Sequence, residues 1–192
     1  MSNEIAKFGD SVVASAAFAP GATELFGLEG VYKVECYDAQ GNLKWSDVIE
    51  NLTTNVGRKS LLDSYFANTG GGAVVMGLKG TGTAAYTDTQ SSHSGWLEVG
   101  LANAPTYSGT RKTPAFSAAT SANPSVLTTS AAVVFSMTGS GTVAGAFINI
   151  GGSSTIDNTT GTLFSAGDFT AGSKTVTSGD SINVSYQLSA SG

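Results

Sequence analysis

The sequence predicts an all-β protein: an antiparallel β-sandwich or jelly-roll-like domain with one short helix and an extended N-terminal arm. Three observations predict it. Short apolar segments recur between stretches rich in Gly, Ser and Thr, the punctuation of a fold built from many short strands. The clearest segment, "SINVSYQL" (181–188), alternates strictly, with Ile182, Val184, Tyr186 and Leu188 on one face and Ser181, Asn183, Ser185 and Gln187 on the other. Such a period of two marks an antiparallel strand with one wet face. Only one stretch, 54–66, carries helical spacing instead.

Residues 1–28 read as the arm. Small apolar residues (Val12, Val13, Ala14, Ala16, Ala17, Phe18) mix there with Pro20 and Gly21, too few to form a core. Phe18 and Phe26 are the candidate anchors for a groove on a partner protein. The stretch "SVVASAAFAPGA" (11–22) has the look of an export signal, but Glu4 and Asp10 precede it against Lys7 alone, where a signal carries net positive charge. No run approaches the ~18 apolar residues of a membrane span. A chain made in the cytoplasm is expected, with 29–192 as a single β-rich domain.

Along that domain, Tyr32, Val34 and Cys36 alternate with Lys33, Glu35 and Tyr37. The turn residues of "DAQGN" (38–42) follow, and Leu43, Trp45 and 47–49 make the return strand of a hairpin. Thr54 or Asn55 caps the helix, Leu61, Leu62, Tyr65 and Phe66 give its spacing, and the glycines after Asn68 end it. Gly57 sits oddly early in it. "AVVMGL" (73–78), "WLEV" (96–99), "AAVVFSM" (131–137) and "VAGAFINI" (143–150) are further strands, and 116–132 reads as an ordered loop.

Composition excludes several function classes. The 192 residues carry a net charge of −5 with only nine Lys and Arg, whereas nucleic-acid affinity rests on neutralising phosphates. Cys36 is the only cysteine and His93 the only histidine, so no disulfide within the chain and no transition-metal site is expected, and no cofactor. Cys36 reads as a small buried hydrophobe.

The chemical candidates are few. His93 stands among Ser91, Ser92 and Ser94, with Asp88 nearby as an orienting acid. Neighbours in sequence rarely attain nucleophile–base geometry, so His93 is expected to bond backbone in a loop while Trp96 enters the core. Glu35 with Asp47, or Asp157 with Asp168, would be the carboxylate pairs of a glycosidase, but the first reads as surface charge across the hairpin. "GLKGTGT" (77–83) lacks the Gly-Lys-Ser/Thr ending of a phosphate loop, which leaves Lys79 as a surface residue at a strand end. No catalytic residue is assigned, and the chain is not read as an enzyme.

Six segments together carry a resemblance: "NLTTNVGRKSLLDSYF" (51–66), "VMGLKGTGT" (75–83), "DTQSSHSGWLEV" (88–99), "TRKTPAF" (110–116), "GTVAGAFI" (141–148) and "GTLFSAGDF" (161–169). The chain resembles a family of small tailed-bacteriophage virion proteins encoded near the capsid genes. The resemblance implies a head-decorating (cement) protein in the virion, or alternatively a neck, tail or fibre-associated protein that binds a virion partner or a host-surface glycan. The major capsid protein or another virion protein is the expected partner and a homo-oligomer is expected, while the charge and hydropathy above argue against nucleic acid and membrane. The resemblance transfers no functional residues.

Overall fold

A computed structural model of the chain describes residues 27–66 and 71–191. The predicted arm up to residue 26, with Phe18 and Phe26, lies outside the described residues. The architecture is all-β and antiparallel, with one short helix.

The hairpin forms first along the chain. β1 (Gly27–Tyr37) pairs with β2 (Leu43–Thr53) in a register that sets Tyr32 opposite Ile49 and Val34 opposite Asp47. Asp38 Oδ1 accepts the N–H groups of Gln40 and Asn42 at 2.9 and 2.8 Å, and Gly41 takes φ 85°. That turn suits an aspartate that bonds its own backbone and a glycine free to turn left-handed. The register places Asp47 on the Val34 side, facing away from Glu35. Asp47 binds Lys174 at 2.8 Å and the Thr170 hydroxyl at 2.8 Å, so Glu35 and Asp47 do not meet across the hairpin.

Helix α1 (Asn55–Phe66) follows. Thr54 Oγ1 accepts the Gly57 N–H at 3.0 Å and is the N-cap. Gly57 is needed because the helix packs directly on a strand: a Cβ there would lie 2.2 Å from the Phe164 carbonyl oxygen. Leu61 reaches the core; the side chains of Leu62, Tyr65 and Phe66 lie outside the described set.

The remaining strands are β3 (Val74–Gly82), β4 (Trp96–Val99), β5 (Ser125–Thr128), β6 (Val133–Ser136), β7 (Gly141–Val143), β8 (Gly145–Ile150), β9 (Thr162–Asp168), β10 (Lys174–Val176) and β11 (Ser181–Ser191). One layer runs β2-β1-β11, with β5 and β6 sharing the far side of β11. The other runs β4-β3-β8-β9, and β7 pairs with β10 as a small ribbon. Two crossings close the layers on each other. The end of β2 pairs Leu52 and Thr53 with Ala166 and Ser165 of β9. On the opposite side, irregular chain from Tyr107 to Phe116 bridges in turn to Met137, Met76 and Thr129.

Between the layers lies the main core. Tyr32, Val34, Cys36, Phe135, Ile182, Val184 and Tyr186 come from one side, and Met76, Leu78, Ala146, Ile148 and Phe164 from the other. Each large side chain so enclosed stabilises the fold by roughly 1.5–3 kcal/mol before entropy is counted. The Tyr32 hydroxyl bonds Ser165 Oγ across the gap at 2.8 Å, and the Tyr186 hydroxyl accepts from Asn51 Nδ2 at 3.0 Å. Burial pushes the Tyr186 hydroxyl up to about 12 and the Cys36 thiol up to about 11, so both remain protonated at neutral pH. Cys36 is the small buried hydrophobe that its place in the alternation predicts.

Candidate functional site

The other face of the second layer is the chemically rich one. Strand alternation turns Gly77, Lys79, Trp96, Glu98, Phe147, Asn149 and Asp168 away from the main core. Trp96, Phe147, Leu163 and Ala166 make a second, smaller core there, roofed by the loops 83–95 and 151–161. Loops carry backbone groups that a strand would have paired, so a roof of this kind needs polar partners beneath it.

Glu98 and Arg111 supply the centre. Arg111 Nε and Nη2 donate to the two Glu98 carboxylate oxygens at 2.9 and 2.6 Å, and both side chains are buried. The guanidinium also donates to the Ser153 and Asn158 carbonyls at 3.0 and 2.7 Å, while Glu98 accepts the Asp157 N–H at 3.0 Å. The pair therefore pins the 151–161 loop from below by a two-pronged, directional contact that only arginine offers. Asn149 Nδ2 extends the network to Gln90 Oε1 at 2.8 Å and the Thr160 carbonyl at 3.0 Å.

Lys79, which the sequence alone places at the surface, is wholly buried. Its ammonium binds Asp168 and the Gly80 and Gly82 carbonyls. Gly145 pairs with both Lys79 and Asp168, so the two lie in line on either side of it across the sheet. The polar environment that permits burial is assembled from strands distant in sequence.

The loop 83–95 is organised by the Ser-His-Ser-Gly-Trp stretch. Trp96 Nε1 donates to Asp88 at 2.9 Å, and Asp88 also accepts the Ala85 N–H at 2.8 Å. His93 stacks on the indole at 4.0 Å between ring centres, 20° from parallel. Its Nδ1 lies 3.0 Å from the Trp96 carbonyl; because a carbonyl only accepts, Nδ1 carries the proton. Asn103 Nδ2 similarly donates to the Glu98 carbonyl at 2.9 Å. β4 is the terminal strand of the sheet order, so His93 and Asn103 satisfy its outer edge with side chains where a further strand would otherwise pair.

This arrangement disposes of the triad geometry. Asp88 is spent on Trp96, and among the described residues no serine hydroxyl bonds His93. Asp157 and Asp168 also do separate work. Asp168 holds Lys79, whereas Asp157, at φ 63° the one non-glycine with positive φ among the described residues, accepts the Ala102 N–H at 3.1 Å. Among the described residues no group of three or more His, Cys, Asp or Glu side chains is placed to hold a metal.

Beside the loop runs an open groove of about 390 Å³, lined in part by His93, Leu97, Asn103, Asp157 and Thr159. Leu97 and Leu101 stand 59% and 62% exposed. Leu97 also borders a shallow neighbouring groove with Gly80, Thr81, Ala102 and Gly141, a lining without charge. The sequence reading missed this apolar surface, because Leu97 sits inside a strand pattern that gives no sign of which face stays wet. No protein-family model matches the chain, and no curated protein or solved structure shows detectable similarity to it.

Proposed function

We propose that this chain is a structural protein of the tailed-bacteriophage virion, a head-decorating cement protein that stabilises the capsid by bridging its subunits. The observation that carries the reading is where the six resembling segments fall. They supply the end of β2 with α1, then β3, β4, the Arg111 segment, β7 with β8, and β9. They converge on the second layer and its roof. Four of the six supply the members of two ion pairs, Lys79–Asp168 and Arg111–Glu98, which hold strands and loops together, the kind of feature expected of a structural protein.

The surface around that scaffold supports the same reading. Ser181, Asn183, Ser185 and Gln187 line the outer face of β11, and Leu97 and Leu101 offer apolar contact area beside an uncharged groove. Single contacts of this sort are weak, but a symmetric shell repeats them, and multivalency turns weak contacts into retention. A second reading, a neck, tail or fibre-associated protein that binds a host-surface glycan, draws on the groove beside His93 with its hydroxyl and amide lining and the carboxylates of Glu98 and Asp157.

The test mixes undecorated heads with the full chain and with a form lacking residues 1–26, which leaves β1 whole, and compares occupancy after sedimentation. The full chain is expected to saturate the heads and the shortened form to bind much more weakly through loss of the Phe18 and Phe26 anchors. Full occupancy by the shortened form would remove the arm from the account. Binding by neither form would contradict the cement reading and favour the tail or fibre one.

A further inference from the structure

Lys79 on β3 and Asp168 on β9 lie in line across β8: Lys79 pairs with Gly145, and Gly145 pairs with Asp168. The lysine reaches over the intervening strand to the carboxylate. Its ammonium has three donors, and they are met by Asp168 and the carbonyls of Gly80 and Gly82. The Trp96 ring lies over it, with Nζ 5.8 Å from the ring centre. The lysine side chain has no exposure to water, whereas that of Asp168 is 36% exposed. Glu98 is the cross-strand neighbour of Lys79 on the other side, but Arg111 holds both its oxygens, which leaves Asp168 as the carboxyl open to the amine.

An amine and a carboxyl held in contact, with the amine shut off from solvent, have already lost the entropy of encounter. Well-oriented intramolecular reactants reach effective concentrations of about 10⁵–10⁸ M, enough to drive a condensation that fails between free molecules in water. We propose that Lys79 and Asp168 condense to an intramolecular isopeptide bond that ties β3 to β9 across β8. In this step the ammonium first passes one proton to the carboxylate it touches. The neutral Nζ then attacks Cγ of Asp168 and forms the C–N bond. The Cγ–O bond breaks, and the hydroxyl leaves with a second nitrogen proton as water through the exposed side of Asp168. One –NH₃⁺ and one –COO⁻ become one –NH–CO– and one water, with no oxidant, nucleotide or metal consumed. The bond would lock the layer that carries the Trp96 and Arg111 networks.

Intact mass spectrometry of the denatured full chain tests this directly. The expected mass is below the sequence mass by one water, with a branched peptide joining the Lys79 and Asp168 fragments after digestion. Lys79→Arg and Asp168→Ala should each restore the full sequence mass. Asp168→Asn, which preserves the shape of the pair, should condense with loss of ammonia instead. A folded wild-type chain at full sequence mass would overturn the proposal and leave a buried ion pair. A water deficit that persists in Lys79→Arg, or that maps to a site without the branched peptide, would overturn it equally.

Discussion

His93 uses one ring face and one nitrogen to finish the edge of a sheet. The ring covers the Trp96 indole, Nδ1–H satisfies the Trp96 carbonyl, and Trp96 in turn holds Asp88. A loop that looks like the start of an active site in the sequence is thereby accounted for by packing and hydrogen bonding. Replacing His93 with Asn removes the stacked ring and misplaces the donor. Leaving a buried acceptor unpaired costs about 1–3 kcal/mol, and in a chain of this length each kcal/mol lowers the melting temperature by about 2–4 °C. Thermal denaturation of His93→Asn should show a fall of that order with the fold retained. An unchanged melting temperature would mean that the carbonyl finds another partner and that the edge-closing role is wrong.

At the scale of elements, Gly57 sets packing against propensity. Alanine in place of glycine normally favours a helix by about 1 kcal/mol, but here the added methyl would press into the Phe164 carbonyl of β9. Gly57→Ala should therefore destabilise the protein, by about 1–3 kcal/mol if the helix is forced off the strand, and urea denaturation reads the sign. The face assignment of β11 is tested in the same way. Tyr186 is buried and Gln187 exposed, so Tyr186→Asp, an unpaired buried charge, should yield insoluble or unfolded protein. Gln187→Asp should stay soluble with an unchanged circular dichroism spectrum, and equal tolerance of both would refute the register. Elements with a period were legible in the sequence: β4 lies at 96–99 and α1 at 55–66, as their patterns predict, and β11 keeps its alternation. The Tyr107–Phe116 crossing was not, because it contributes only single bridges, to Met137, Met76 and Thr129, and has no period of its own. Lys79 was illegible for a related reason: the carboxylate that receives its charge, Asp168, is remote in sequence.

Among the described residues a network of buried charges lies under the roof of the second layer, while the outer face of β11 carries hydroxyls and amides. Glu98, Arg111, Lys79 and Asp88 all spend their charges or hydrogen bonds on holding loops and strands. The proposed cement role would draw on shape, on exposed apolar residues such as Leu97 and Leu101, and on repetition around the shell. A decoration protein is distinguished above all by its stoichiometry. Gel densitometry of purified virions, scaled to the major capsid protein, measures it most directly. A decoration role predicts a copy number comparable to that of the major capsid protein; a handful of copies per particle would contradict it and place the chain at the neck, tail or fibre.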